Sequence, residues 1–159
     1  MAKKTKQTKT LPIYILNGPN LNLLGVREPE VYGYTTLAQI EQMCATQAAS
    51  HGLSIVFRQS NREGEIVDHL QEARTAGSAV IINPAGYGHT SIAILDSIQA
   101  CGLPVIEVHL SNIHRRESYR NHSYVSKGAT GIIMGLGAQG YVRAVDAVAQ
   151  ILSAKGKKK

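Results

Sequence analysis

The sequence predicts an α/β fold: a three-layer, flavodoxin-like arrangement in which a five-stranded parallel sheet, order 2-1-3-4-5, carries helices on both faces. Three observations predict it. Short runs rich in Ile and Val alternate along the chain with stretches of helical apolar periodicity. Several of those runs are apolar almost without interruption, as strands covered on both faces tend to be. A serial β-α order is satisfied by a parallel sheet with right-handed crossovers, for which 2-1-3-4-5 is the common five-stranded arrangement.

The strands are expected at Leu11–Leu16, Leu53–Gln59, Ser78–Asn83, Pro104–Leu110 and Thr130–Gly135. Between the first two, Thr36 with Gln39 forms a capping-box start, and Leu37, Ile40 and Cys44 follow at helical spacing until Gly52. Ile66, Val67, Leu70 and Ala73 repeat the pattern up to Gly77, and Ile92, Leu95 and Ile98 do so up to Gly102. Val142, Val145, Ala149 and Leu152 close the chain.

The chain has 159 residues, 43% of them hydrophobic, and a mean hydropathy of -0.10, enough apolar material for one core. Its formal charge of +6 is concentrated at the ends. Four lysines lie in residues 1–10 and four in residues 153–159, leaving nine basic against eleven acidic residues between them. The body is therefore slightly acidic, which argues against a nucleic-acid partner. The organisation expected is a single catalytic α/β domain over residues 11–152 between two disordered basic tails, 1–10 and 153–159. No apolar segment approaches membrane-spanning length, and no secretory signal follows the first lysines; a cytoplasmic protein is expected. Cys44 and Cys101, each on a predicted helix without a CxxC partner, read as buried thiols.

In open α/β sheets ligands bind beyond the carboxyl ends of the strands, and the polar residues gather there. Those segments are Asn17–Gly33, Gln59–Glu65, Asn83–Ser91, His109–Tyr124 and Gly135–Gly140. The first is too long for an ordinary β-α loop and reads as a lid, with Gly25 and Gly33 as hinges. The GLGAQG run fits G-x-G-x-x-G, but no acid on a further strand follows it, so tight helix–strand packing is the better reading. No HExxH or Cys/His spacing points to a metal, no G-x-S-x-G elbow is present, and Lys127 alone lies in the body for imine chemistry.

An acid–base site of Tyr, Arg and His survives these exclusions. Glu107 and His109 are two apart on one strand, so their side chains leave the same face, and the carboxylate can orient the imidazole. Tyr32 follows Arg27 on the predicted lid. A free tyrosine is a poor base at neutral pH, but a guanidinium about 4 Å away favours phenolate by about 4 kcal/mol at an effective dielectric near 20.

Taken together, NGPNLNLLGVREPEVYG, QSNREGE, NPAGYGHTSIAILD, IEVHLSNIHRRESYRNHSY and GLGAQGYVRA resemble type II 3-dehydroquinate dehydratase, in the family's own order from about Leu11 to Ala149. The resemblance implies an anti elimination of water from 3-dehydroquinate through an enolate, giving 3-dehydroshikimate, without cofactor or metal. It implies Tyr32 as the base, Arg27 as its electrostatic support and lid clamp, and Asn20 at the enolate oxygen. His109 would protonate the departing hydroxyl, with Glu107 orienting it. Asn83, the main-chain amide of Leu110 and Ser111 resemble the family's carboxylate grip, where the start of a short helix would suit an anion. His89, Asp96 and Arg120 resemble the residues that hold the ring hydroxyls, Asp96 reaching from a neighbouring subunit, and Arg116 a lid support. A homo-oligomer, a dodecamer of trimers, is likewise implied. Two other readings remain at this stage: a flavodoxin-like module for a phosphorylated ligand, and a nucleic-acid binder driven by the tails.

Overall fold

The computed structural model describes residues 10–156. Five parallel strands, β1 (Ile13–Asn17), β2 (Ile55–Gln59), β3 (Ala79–Asn83), β4 (Val105–His109) and β5 (Gly131–Met134), form one sheet of order β2-β1-β3-β4-β5. The expected topology is the one observed. Around the sheet lie α1 (Pro29–Tyr32), α2 (Leu37–Ser50), α3 (Glu63–Ala76), α4 (Ile92–Cys101) and α5 (Gln139–Gly156).

The three inner strands are buried along their whole length, whereas β2 and β5 at the edges are partly exposed. Burial on both faces accounts for the nearly continuous apolar runs of β1 and β3, while β4 carries the buried Glu107 and His109. Alternation along the strands divides the core in two. Ile13, Ile15, Ile81, Ile106 and Val108 pack under α2 and α5, while Tyr14, Leu16, Val80, Ile82 and Val105 pack under α3 and α4.

Helix boundaries follow local chemistry. Thr36 accepts from the Gln39 amide at 3.2 Å while the Gln39 side chain accepts from the Thr36 amide at 2.9 Å, so both halves of the capping box are made. The last helix continues to Gly156, past the Leu152 boundary expected from its apolar pattern. Ser153, Ala154 and Lys155 contain no helix breaker, and a solvent-facing last turn needs no apolar residue. The rest of the predicted tails, 1–9 and 157–159, lies outside the described residues. Cys44 and Cys101 are both free and buried, and burial pushes the Cys44 thiol up to about 12.

The carboxyl ends of β1, β3, β4 and β5 are drawn together by main-chain bonds. The Gly18 amide donates to the Asn83 carbonyl at 2.8 Å, an approach only glycine permits, since a Cβ there would stand 2.3 Å from the Pro84 carbonyl oxygen. The Gly135 and Gly137 amides donate to the carbonyls of His109 and Leu110 at 3.2 and 3.0 Å. The GLGAQG turn thus anchors the end of β4, in line with its packing reading.

Candidate active site

Over these strand ends lies a cavity of about 190 Å³. Of the residues expected in the site, Asn20, Arg27, Tyr32, Asn83, His89, His109, Leu110, Ser111, Arg116 and Arg120 line it. Glu107 stands behind His109, and Asp96 sits on the exposed side of α4, outside the cavity.

The floor comes from β4. Glu107 is fully buried and His109 is 5% exposed, with the imidazole Nε2 2.6 Å from Glu107 Oε1. An Nε2–H donated to the carboxylate leaves Nδ1 as the nitrogen free for the cavity. Ser123 donates to the same carboxylate oxygen at 2.6 Å, and Ser126 donates to Oε2. Burial alone would push the Glu107 carboxyl up, but the donors from His109, Ser123 and Ser126 outweigh it and hold the group below the ordinary carboxylate range. The Glu107–His109 pair is legible in the sequence but the two serines are not, since they sit in a loop and a single 3₁₀ turn without helix or strand periodicity.

The roof is the loop after β1. It is not structureless: Leu21–Leu23 makes a 3₁₀ turn, and Pro29 opens the four-residue helix α1, which carries Tyr32 on its last position. Asn20 has φ 67° and is held by its amide, which donates to Asn61 Oδ1 at 3.0 Å. Gly33 has φ 82° and ψ -179°, a conformation essentially confined to glycine, and it turns the chain out of α1.

The two arginines near Tyr32 are placed differently from expectation. Arg116 Nη1 donates to the phenol oxygen at 3.0 Å, so the residue expected only to support the lid makes the direct contact. Arg27 faces the ring, its Cζ 5.2 Å from the centroid, and its Nε lies 3.3 Å from Glu28. Arg116 Cζ is also 5.3 Å from the ring centroid, so two cations stand close to the phenol. A contact spanning 84 positions has no local signature.

Asn83 is fixed by a buried network in which its Nδ2 donates to Tyr141 Oη at 2.9 Å and Tyr141 donates to Asn17 Oδ1 at 2.7 Å. Its Oδ1 accepts from the amide of Ala85, a non-glycine residue at φ 50° on the cavity wall. The element after Ser111 is a single 3₁₀ turn, Ile113–Arg115, and the Asn112 side chain already caps it by accepting from the His114 amide at 3.1 Å. An anion there therefore meets main-chain amides and Ser111 rather than a sustained helix dipole.

His89 stacks on His109 with ring centroids 6.4 Å apart and planes at 17°. Its Nδ1 is 2.6 Å from the His122 carbonyl, and His122 Nε2 is 3.0 Å from the His89 carbonyl, a reciprocal pair. Burial pulls His89 below its ordinary value, favouring the neutral ring. Arg120 approaches Glu117 at 3.3 Å without a hydrogen bond to its buried Nε.

One cavity thus unites a phenol with two guanidiniums close by, a carboxylate-backed imidazole and a set of amide and hydroxyl donors. Such a set suits proton abstraction beside a carbonyl with acid assistance to a leaving group. Residues 11–149 match the family model described as Dehydroquinase class II. A 3-dehydroquinate dehydratase of Streptomyces avermitilis is 58% identical over 149 residues, covering 93% of this chain and 94% of the relative. One from Phenylobacterium zucineum is 59% identical over 138 residues, with 87% and 95% covered. The crystal structure of type II dehydroquinase from Propionibacterium acnes superposes with a TM-score of 0.85 at 40% identity, covering 89% of this chain and 97% of that one.

Proposed function

The chain belongs to the class II dehydroquinase family, and on that premise we propose how its residues dehydrate 3-dehydroquinate to 3-dehydroshikimate, the hydro-lyase step of the shikimate pathway. The phenolate of Tyr32 removes the proton on the carbon beside the ketone, and the electron pair moves into an enolate. Arg116, which donates to the phenol oxygen, and Arg27, over its ring, are the preorganised cations set to stabilise charge on that oxygen in a partly closed cavity. Asn20 positions a water or its own amide against the enolate oxygen. The enolate then collapses to the conjugated enone, expelling the hydroxyl, which takes the proton from His109 and leaves as water. Glu107 orients His109 throughout.

Asn83, the Leu110 amide and Ser111 grip the substrate carboxylate, while His89 and Arg120 hold ring hydroxyls. No step draws on a cofactor or metal, because the proton and the electron pair both stay within substrate and side chains. We assign catalysis to one domain, residues 11–152, acting in the cytoplasm; the same reaction would serve quinate breakdown. Among the described residues no helix is long and apolar enough to cross a membrane. Asp96 is assigned to a homo-oligomer, the dodecamer of trimers: the residue is exposed and outside its own cavity, free to serve a neighbouring subunit. There it would reach the ring hydroxyls of substrate bound in a neighbouring subunit.

The observation that carries this reading is that Tyr32 and His109 face one cavity from separate elements. Purified protein mixed with 3-dehydroquinate is expected to generate enone absorbance at micromolar enzyme or below. A flat trace would end the assignment.

A further inference from the structure

We propose that Ser123 and Ser126 are positioning residues of the reaction, their hydroxyls fixing the Glu107 carboxylate so that His109 presents Nδ1 to the cavity. The proposal rests on the reading of His109 as the acid. Glu107 has no solvent contact, and such a carboxylate keeps its charge only where donors replace water. It has three: His109 Nε2 and Ser123 Oγ, each 2.6 Å from Oε1, and Ser126 Oγ on Oε2. Among the described residues neither hydroxyl has another hydrogen-bond partner.

The titratable group facing the carboxylate is His109, from its own strand. The segment packed against the pair contributes the two serines.

This arrangement selects a protonation pattern. A carboxylate surrounded by three donors accepts from all of them, so the imidazole must keep hydrogen on Nε2. Nδ1 then carries a proton only in the imidazolium. That is the proton transferred to the departing hydroxyl, after which the neutral ring keeps its Nε2–H on Glu107. Without the serines, the buried carboxyl would tend to hold a proton itself, and the imidazole would lose the partner that fixes its tautomer and orientation.

The serines are held by the fold. The fully buried Val125 lies between them, and the Tyr124 amide donates to the Gly88 carbonyl at 2.8 Å, tying the segment to the turn after β3. His122, the preceding residue, holds His89. One short segment thus fixes both stacked histidines, one through its main chain and the other through Glu107.

The test compares Ser126→Ala, Ser126→Thr, the double variant Ser123→Ala with Ser126→Ala, and His109→Gln. Each is followed by kcat, KM, the pH profile of kcat and the ¹⁵N resonances of the His109 ring. Ser126→Ala is expected to lower kcat about tenfold, with KM changed by less than about twofold, and the double variant about a hundredfold. Ser126→Thr, which keeps the hydroxyl at a partly exposed position, restores most of the rate.

In the double variant the acid limb of kcat moves to higher pH, because burial is no longer opposed by hydroxyl donors. The ¹⁵N spectrum changes from one His109 tautomer to a mixture. A folded double variant with wild-type kcat and acid limb would overturn the proposal, as would a Thr variant no better than Ala. If the double variant does not fold, the Ala and Thr singles decide. His109→Gln with near-normal turnover would instead remove the reading of His109 beneath it, whatever the serines do.

Discussion

On the β4 side of the cavity, Glu107 and His109 are 0% and 5% exposed and are held by a strand buried along its length. On the opposite side, Tyr32 sits half-buried at the end of a four-residue helix, between Glu28 at φ 40° and Gly33 at φ 82°. The side proposed to hold the acid is set by the core; once the chain folds, its imidazole has one place to be. The side proposed to hold the base is set by a loop whose geometry relies on left-handed residues and on Arg116 reaching it from elsewhere. Elimination needs a base and an acid on different parts of one substrate, and here a floor set by the core meets a roof set by a loop.

The comparison breaks most visibly if the two sides respond alike to losing their reacting groups. Tyr32→Phe is expected to lower kcat by about 10³ while thermal stability stays within about a degree, since the phenol oxygen is not part of the core. His109→Gln should lower kcat by a similar factor and in addition cost about 1–3 kcal/mol of stability in a denaturant melt, because a buried carboxylate loses the imidazole that donates to it.

A smaller effect separates the two arginines. Arg116→Ala, which removes the direct hydrogen bond to the phenol, should lower kcat about tenfold more than Arg27→Ala, measured under saturating substrate. Gly33→Ala meets no atom within 4 Å of the added Cβ, so any effect is conformational. It should cut kcat/KM several-fold with the unfolding midpoint of the core little changed.

The smallest change lies away from the cavity. Asp146 accepts from His51 at 2.8 Å, Gln47 at 2.6 Å and Arg143 at 3.0 Å, and the first two bonds, with the Arg143 charge, hold its carboxyl below the ordinary range. A carboxyl lowered in the folded state adds stability above its unfolded value of about 3.9, and that contribution disappears as pH falls through the lower folded value. Asp146→Asn should therefore cost under about 1 kcal/mol at pH 7, with the difference from wild type vanishing in acid and turnover unaffected.

The same contrast governs what the sequence reveals. The sheet order and the Glu107–His109 pair were legible because burial on both faces writes an apolar run, and strand alternation fixes which side chains share a face. The capping box at Thr36 announced α2 for an equally local reason. Within the Asn17–Gly33 loop, the identity of Tyr32 and Arg27 could be read but not α1, whose four residues are too few for periodicity. Arg116 on the phenol and Ser123 and Ser126 on Glu107 were invisible for a third reason. Each contact joins segments distant in sequence, and a polar residue in a polar loop carries no mark of the partner it will meet.

The most direct test of the proton path follows hydrogen exchange without elimination. His109→Gln incubated with 3-dehydroquinate in D₂O should place deuterium stereospecifically on the carbon beside the ketone, faster than buffer and with little enone. Adding Tyr32→Phe to that variant should return exchange to the buffer rate. Exchange that persists undiminished without the Tyr32 hydroxyl would contradict the account, because another group would then be removing the proton.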